Sequence, residues 1–460
     1  MRVLFVYPNI VESPKDISLG IANLSALLKQ AGHKTDLIDS TFGITDKEII
    51  RKTKQFKPDL VAITTASNDF HYALHIAELL KKNFGLPIIC GGFHPTIAPE
   101  EVIIKEWIDA ICISEGEFPL LEYINSLEKG KLKTDIKNLW IKSNGKIIKN
   151  DLRPLITNLD SLPFPDRELF DYKKYLEWHH NTANFMSGRG CPFDCTYCIN
   201  HFLKKLNNEP YVRFRSIDNV LKEIKETIKK YPQIKSIELY DDTFTINPNR
   251  VKEFCDKYPK EIGLPFIINA RVNAVNKEMF SWLKKAGCVR VSIGVESGDE
   301  HIRNKILKRN MTDKQIINTF RWAKETGIKT YSYNMVGIPY EDYANIKKTI
   351  RLNRIIKPDF VGVSIFNAFK GTEAYKLCKN NMWLDEDKIS TSYFQSTNVK
   401  HPNFTEKQLK NIRNTFGFKV FITYNPMRAV MDFFDKNFTK FPLYMRIRSF
   451  LISKLRLVES

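Results

Sequence analysis

The strongest constraint on this chain is an alternation of strand-like and helix-like segments that occurs twice. In the first run, RVLFVYP (2–8) reads as an apolar strand. LGIANLSALLKQAG (19–32) carries Leu19, Ala22, Leu24, Leu27, Leu28 and Ala31 at helical spacing and ends on Gly32, a natural helix stop. KTDLID, LVAITTA (60–66), PIICGG (87–92) and AICISEG (110–116) read as further strands, with a helix over 70–84. Continuous apolar strands separated by helices predict a parallel sheet covered on both faces. A doubly wound sheet of this kind binds its ligand beyond the carboxyl ends of its strands. The segments there are Tyr7-Pro8-Asn9, Thr64-Thr65-Ala66, Gly91-Gly92-Phe93-His94 and Glu115-Gly116-Glu117.

Residues 131–180 change character. LWIKSNGKIIK predicts a hairpin turning at Asn144-Gly145, and SLPFPDREL, with Pro163 and Pro165, an extended linker. Alternation then resumes, with strands expected at 183–188, 236–241, 265–271, 289–296, 330–337 and 360–367. One intervening helix opens with a capping box, Thr312 with Gln315. Six βα units predict an incomplete barrel with its chemistry at the carboxyl ends of the strands. The expected division is 1–135 for the doubly wound domain, 136–180 for hairpin and linker, 181–385 for the partial barrel, and 386–460 for a basic, mainly helical region.

Composition excludes several classes. With 43% hydrophobic residues in 460, the chain can bury several cores, so disorder is not its main state. No apolar run approaches the ~18 residues that span a bilayer, and MRVLFVYPNI lacks a signal-peptide pattern. The expected location is cytoplasmic. The net charge of +19 fits either an anionic partner or a solvated, Lys-rich surface. Within 442–457, Leu443, Ile447, Phe450, Leu451 and Leu455 alternate with Arg446, Arg448, Lys454 and Arg456. That pattern fits a basic helix on an anionic membrane face or one that closes the barrel.

Eight cysteines are too few for a disulfide scaffold. Cys90, Cys112, Cys255, Cys288 and Cys378 stand alone and read as small core residues. Cys191, Cys195 and Cys198 fall within eight residues, in GRGCPFDCTYC after the first barrel strand. Three thiolates can hold three irons of a cubane and leave the fourth open. Zinc is the competing choice, because His201 follows three residues after Cys198 and would complete a Cys3His set.

The loop resembles the signature of radical S-adenosylmethionine enzymes, including Tyr197 before the last cysteine. ELYDDTFT (238–245), INARVN (268–273), IGVESG (293–298), MVGIPYED (335–342) and FNAFKGTEAY (366–375) resemble, in order, strand-end segments of the branch with an N-terminal cobalamin-binding domain. LGIANLSALLKQAGH, ICGGFHPT, ISEGE and LDSLPFPDREL look like the same branch. The resemblance covers about residues 1–385 and favours iron over zinc. It implies a [4Fe–4S] cluster on the three cysteines and S-adenosylmethionine on the open iron, cleaved by one electron to a 5′-deoxyadenosyl radical. It implies Asp241 or Asp242 near the methionine amino group and Arg271 at its carboxylate. Glu296 and Ser297 would take the ribose, and Val336, Gly337 and Phe366 the adenine. Tyr197 would line the same site.

Cobalamin would lie on the first domain, against Tyr7, Pro8, Thr64, Thr65, Gly91, Gly92, His94, Glu115, Gly116 and Glu117. The DxHxxG motif that supplies an axial histidine elsewhere is absent, so His94 is expected to be a hydrogen-bonding or packing residue rather than a cobalt ligand. The implied reaction is methylation of an unactivated carbon by methylcobalamin. The alternatives are radical ring closure, rearrangement or oxidative modification. A non-enzymatic nucleic-acid or membrane-surface binder with a zinc knot is a different class, favoured by the charge and by His201. Expected partners are a small-molecule or lipid-like substrate, a flavodoxin- or ferredoxin-type electron donor and a membrane surface; no RNA-binding domain is recognisable.

Overall fold

A computed structural model describes residues 1–10, 16–207, 210–386, 388, 390 and 392–437. The basic segment 442–457 lies outside the described residues. No described helix is long and apolar enough to cross a membrane.

The first run of alternation forms the sheet β1 (Arg2–Tyr7), β2 (Lys34–Asp39), β3 (Leu60–Thr64), β4 (Ile88–Gly91) and β5 (Ala110–Cys112). Its order is β2-β1-β3-β4-β5, all parallel, followed by the antiparallel hairpin β6 (Leu139–Ser143) and β7 (Lys146–Lys149). The hairpin turns at Asn144 (φ 50°) and Gly145 (φ 73°), the left-handed pair that such a two-residue turn requires. It does not stand apart as part of a linker. β6 pairs with β5, so Leu139 and Ile141 bury against the same core as the parallel strands.

The second run begins with β8 (Thr182–Phe185) and a two-residue ribbon, β9 (Gly188–Arg189) with β10 (Arg213–Phe214). It continues with β11 (Ser236–Leu239), β12 (Phe266–Ala270), β13 (Cys288–Glu296), β14 (Lys329–Val336) and β15 (Phe360–Ile365). These form one parallel sheet in the order β15-β14-β13-β12-β11-β8, a half-barrel. The anticipated box at Thr312 is present: its hydroxyl accepts from Gln315 N, and the Gln315 side chain accepts from Thr312 N. The helix Glu406–Phe421 packs Leu409, Ile412, Phe416 and Val420 onto Val361, Val363 and Ile365 of β15. A strand that ends a sheet is covered in this way.

One apolar cluster runs from Val3 and Phe5 of β1 through Tyr172 and Leu176 to Phe185, Ile237 and Ile268 of the barrel. The linker is tied into it by Arg167, which is buried, donates to Glu223 at 2.9 Å and to Asn184 O at 2.7 Å, and stacks on Phe185. The five lone cysteines are free and buried. Burial pushes Cys112, Cys255 and Cys378 up to about 12, so they are neutral packing groups.

Candidate active site

The carboxyl ends of the two sheets face each other. Asp16, after β1, accepts from Tyr240, just past β11, at 2.8 Å. Glu115, after β5, accepts from Arg189 of β9 at 2.8 Å. Ser67, Phe70 and His94, beyond β3 and β4, share a cavity of about 260 Å³ with Asn367, Phe369 and Lys370, beyond β15.

The cysteine loop lies at this junction, between β9 and the helix Ile199–Asn207. Arg271 Nη1 donates to Cys195 Sγ at 3.0 Å, and Arg309 Nη1 stands 3.9 Å from the same sulfur. Asn200 Nδ2 lies 3.5 Å from Cys198 Sγ, and Thr243 Oγ1 lies 3.9 Å from Cys191 Sγ. Burial pushes the Cys198 thiol up to about 11 and also raises Cys191, so their thiolates need positive charge close by. Among the described residues, no three His, Cys, Asp or Glu side chains are grouped to hold a single metal ion. Three cysteines on one loop, met by guanidinium and amide donors, fit a multinuclear cluster.

His201 does not complete a zinc set. Its Nδ1 lies 2.5 Å from Cys198 O, and its Nε2 accepts from Glu373 N at 3.2 Å. Both ring nitrogens serve the backbone, tying the loop to the segment after β15. The Cys3His alternative fails on this geometry.

The two aspartates separate. Asp241 is buried, and both its oxygens hold Ser187: Oδ2 accepts from the backbone N at 3.0 Å and Oδ1 from the hydroxyl at 2.8 Å. Asp242 is exposed beside Asn200, where desolvation still raises its carboxyl. Arg271 has every arm engaged, with Nε on Asn273, Nη1 on Cys195 and Nη2 on Arg309 O, and its plane lies 3.9 Å from the Phe193 ring centroid. That places it against the cysteine loop rather than free for a ligand carboxylate.

Glu296 ends β13 in a left-handed conformation (φ 66°), where the register with β14 shifts. Its Oε1 accepts from Tyr197 OH at 3.2 Å and lies 3.7 Å from Arg309. Burial raises its carboxyl, and the Arg309 charge opposes that rise. Gly294 makes the arrangement possible, because a Cβ there would stand 2.6 Å from both Arg309 Nη2 and Glu296 Oε1. Ser297 is fully buried, and its hydroxyl accepts from Asp299 N, so it caps the turn instead of meeting a ribose. Val336 and Phe366 are buried side by side in backbone register, with Phe366 N donating to Val336 O. Gly337 N donates to Glu341 Oε2 at 2.7 Å.

On the first domain, Gly92 has φ 101° and lies against Thr64 and Thr65. Thr65 is buried and donates to Asp69; Thr64 and Gly91 are partly open, and Phe93 is exposed. Pro8 is buried and Tyr7 donates to Asp16 O, so these two shape the seam from below. His94 is buried, packs against Phe70 with the rings tilted at 39°, and has Nδ1 3.0 Å from Ser67 Oγ. Its Nε2 is buried without a hydrogen-bond partner. Glu115 and Glu117 have their carboxylates taken up by arginines of the barrel, with Gly116 between them. The cavity and the open strand-end edge fit a broad ligand in this seam.

Sequence reasoning missed Arg309, Asn200 and Arg189. Arg309 lies in a loop with no motif of its own and reaches Cys195 across 114 residues of chain. Only the Gly-Arg-Gly run before Cys191 offered a signal for Arg189.

Residues 185–352 match the radical SAM superfamily, and residues 15–124 match the B12 binding domain. An uncharacterised methyltransferase of Pyrococcus horikoshii is 28% identical over 450 residues, 95% of each chain. The anaerobic magnesium-protoporphyrin IX monomethyl ester cyclase of Rubrivivax gelatinosus is 25% identical, over 92% of this chain and 79% of its own. Among solved structures, the cobalamin-dependent radical enzyme OxsB with aqua-cobalamin bound matches 98% of this chain and 75% of its own, at TM-score 0.73 and 18% identity. The methyltransferase TsrM of Kitasatospora setae matches 84% and 77%, at TM-score 0.70 and 15% identity. At those identities the likeness is one of fold, and it extends through both sheets. By its two family matches, the chain joins a B12 binding domain at 15–124 to a radical SAM domain at 185–352, the arrangement of cobalamin-dependent radical SAM enzymes.

Proposed function

We propose that this enzyme methylates an unactivated carbon of a small molecule. The observation that carries the proposal is the meeting of the two strand-end edges: the barrel edge beside the cysteine loop is tied to the first domain through Arg189–Glu115 and Tyr240–Asp16, and a cavity lies between the same two sheets, from His94 to Lys370. When bound, the cluster supplies the electron that cleaves S-adenosylmethionine and cobalamin supplies the methyl group.

In this scheme Cys191, Cys195 and Cys198 hold the cluster, and Arg271 and Arg309 donate to its thiolate edge. Asp242 takes the methionine ammonium, because it is the exposed member of the pair. Glu296 and Tyr197 border the ribose, and Val336-Gly337 and Phe366 the adenine. Thr64, Gly91, Gly92 and His94 border the cobalamin. The functional division is 1–150 for the cobalamin unit with its hairpin, 181–385 for the radical unit and, among the described residues, 392–437 for a covering region. Radical SAM enzymes draw on an electron donor, here of flavodoxin or ferredoxin type.

Relatives named as methyltransferases, in Pyrococcus horikoshii and as the cytidylyl-2-hydroxyethylphosphonate methyltransferase of Streptomyces wedmorensis, support methyl transfer. The cyclase relative supports ring closure as the second reading. Anaerobically reconstituted protein should hold about four irons per chain and cleave S-adenosylmethionine on reduction. Cys191→Ala, Cys195→Ala and Cys198→Ala should each abolish cleavage, while Cys255→Ala and Cys288→Ala retain it. Retained cleavage in any of the first three would refute the cluster assignment. Metabolite comparison of a deletion strain separates the outcomes: methyl transfer adds about fourteen daltons to the product, and ring closure removes hydrogen.

A further inference from the structure

The residues just before Cys191 form a junction between the two domains that neither cofactor site uses. β9 and β10 pair Arg189 directly opposite Arg213. Like charges in facing positions repel, and here carboxylates of the other domain offset the repulsion. Arg189 Nη1 donates to Glu115 Oε1 at 2.8 Å and Nη2 to Glu117 Oε1 at 2.6 Å. Arg213 Nη1 donates to both oxygens of Glu115, at 2.9 and 3.1 Å, and to Ile156 O at 2.8 Å. Ile156 N returns a bond to Glu115 Oε2 at 2.8 Å, which adds the linker to the group. All four charged side chains are at most 20% exposed. Burial opposes ionisation of Glu115, but Arg189 and Arg213 outweigh it and hold its carboxyl below the usual range.

The flanking glycines have a matching cause. A Cβ on Gly188 would stand 2.7 Å from the Phe214 ring and 2.8 Å from Arg213 O, and Gly190 (φ 89°) lies against Tyr211 O. Both must be bare for the ribbon to close, which leaves Arg189 as the only side chain of the run that can reach the first domain. Cys191 follows two residues later, so any shift of this junction moves the cysteine loop relative to the cobalamin edge.

We propose that Arg189, gripped by Glu115 and Glu117, is a positioning residue that sets the distance between the cysteine loop and the B12 binding domain. The proposal rests on the cobalamin reading above, and its first test does not depend on it. In cofactor-free protein, hydrogen–deuterium exchange over residues 186–191 should quicken about tenfold in Arg189→Met and less in Arg189→Lys, which keeps the charge. Exchange over β11 to β14 should stay unchanged, which a general folding defect would not allow. In protein loaded with cluster and Co(II) cobalamin, the magnetic dipolar splitting between the two centres should be sharp in the wild type and broadened in Arg189→Met, at equal iron content. Glu117→Ala removes one bond only and serves if Arg189→Met fails to fold; it should show the same broadening, weaker. Unchanged exchange at 186–191, or an unchanged splitting in both variants, would overturn the proposal. Wild-type protein that takes up no cobalamin would count against the functional reading, and the exchange result would still decide the junction.

Discussion

Arg271 Nη1 donates to Cys195 Sγ at 3.0 Å, although 76 residues separate them in the chain. A cationic donor on a ligand sulfur stabilises the more negative, reduced form of a cluster and raises its potential. Arg271→Gln should therefore lower the midpoint potential, by about 59 mV for each tenfold (about 1.4 kcal/mol) of differential stabilisation lost. Potentiometric titration followed by electron paramagnetic resonance reads this directly. An unchanged potential would leave Arg271 a structural role, through Asn273, Arg309 O and the Phe193 ring.

Gly92 and Gly91 are adjacent but face different constraints. Gly92 sits at φ 101°, and a Cβ there would lie 2.7 Å from Thr65 O; at Gly91 the nearest atom is 3.7 Å away, an ordinary contact. Gly92→Ala should cost about 1–3 kcal/mol of stability in chemical denaturation. Gly91→Ala should stay within about 0.5 kcal/mol. Equal losses would show that the loop tolerates a side chain at neither place for some other reason.

Glu341 gives stability a definite pH trend. Burial raises its carboxyl to about 8, against hydrogen bonds from Gly337 and Ile338 that favour ionisation, and Oε1 has no partner. The folded state then holds a proton that the unfolded state gives up above about 4.5. Stability is fully present below the unfolded pKa and is lost as pH rises toward 8. Between pH 7 and 8 the fall should be roughly 1 kcal/mol per unit. In that window His94 (lowered by burial to about 4) and Asp69 (raised by burial to about 6) have largely finished titrating. Urea denaturation of the apoprotein across this range should show the slope, and Glu341→Gln should flatten it. A slope that survives the substitution would assign it to another group.

His94 tests how cobalamin is held. Its side chain is 5% exposed and packed against Phe70, with Nε2 only 3.8 Å from Glu101. A buried ring gives a broad corrin little access to Nε2. The Co(II) spectrum should show no nitrogen triplet splitting, and His94→Ala should leave the spectrum unaltered. A triplet that disappears in the variant would make His94 the axial ligand.

The sequence alone determined what local periodicity and spacing can encode. Apolar runs interrupted by helical spacing specified two parallel sheets, Asn144-Gly145 specified a turn, and CxxxCxxC placed three sulfurs on one loop. Each of these depends on residues a few positions apart, where backbone geometry dictates the outcome. Tertiary structure alone decided how buried charges are shared. Asp241 and Asp242 are indistinguishable as neighbours in sequence, yet one is consumed by Ser187, 54 residues away, and the other is open. Ser297, placed by motif at a ribose, is buried as a cap, and His201, at metal-ligand spacing, satisfies backbone. Glu115 and Glu117, which end a strand where a ligand was expected, meet arginines more than 70 positions away. A buried carboxylate must find a donor or a cation, and which one it finds depends on how the two domains dock, a relation that spacing along the chain does not carry.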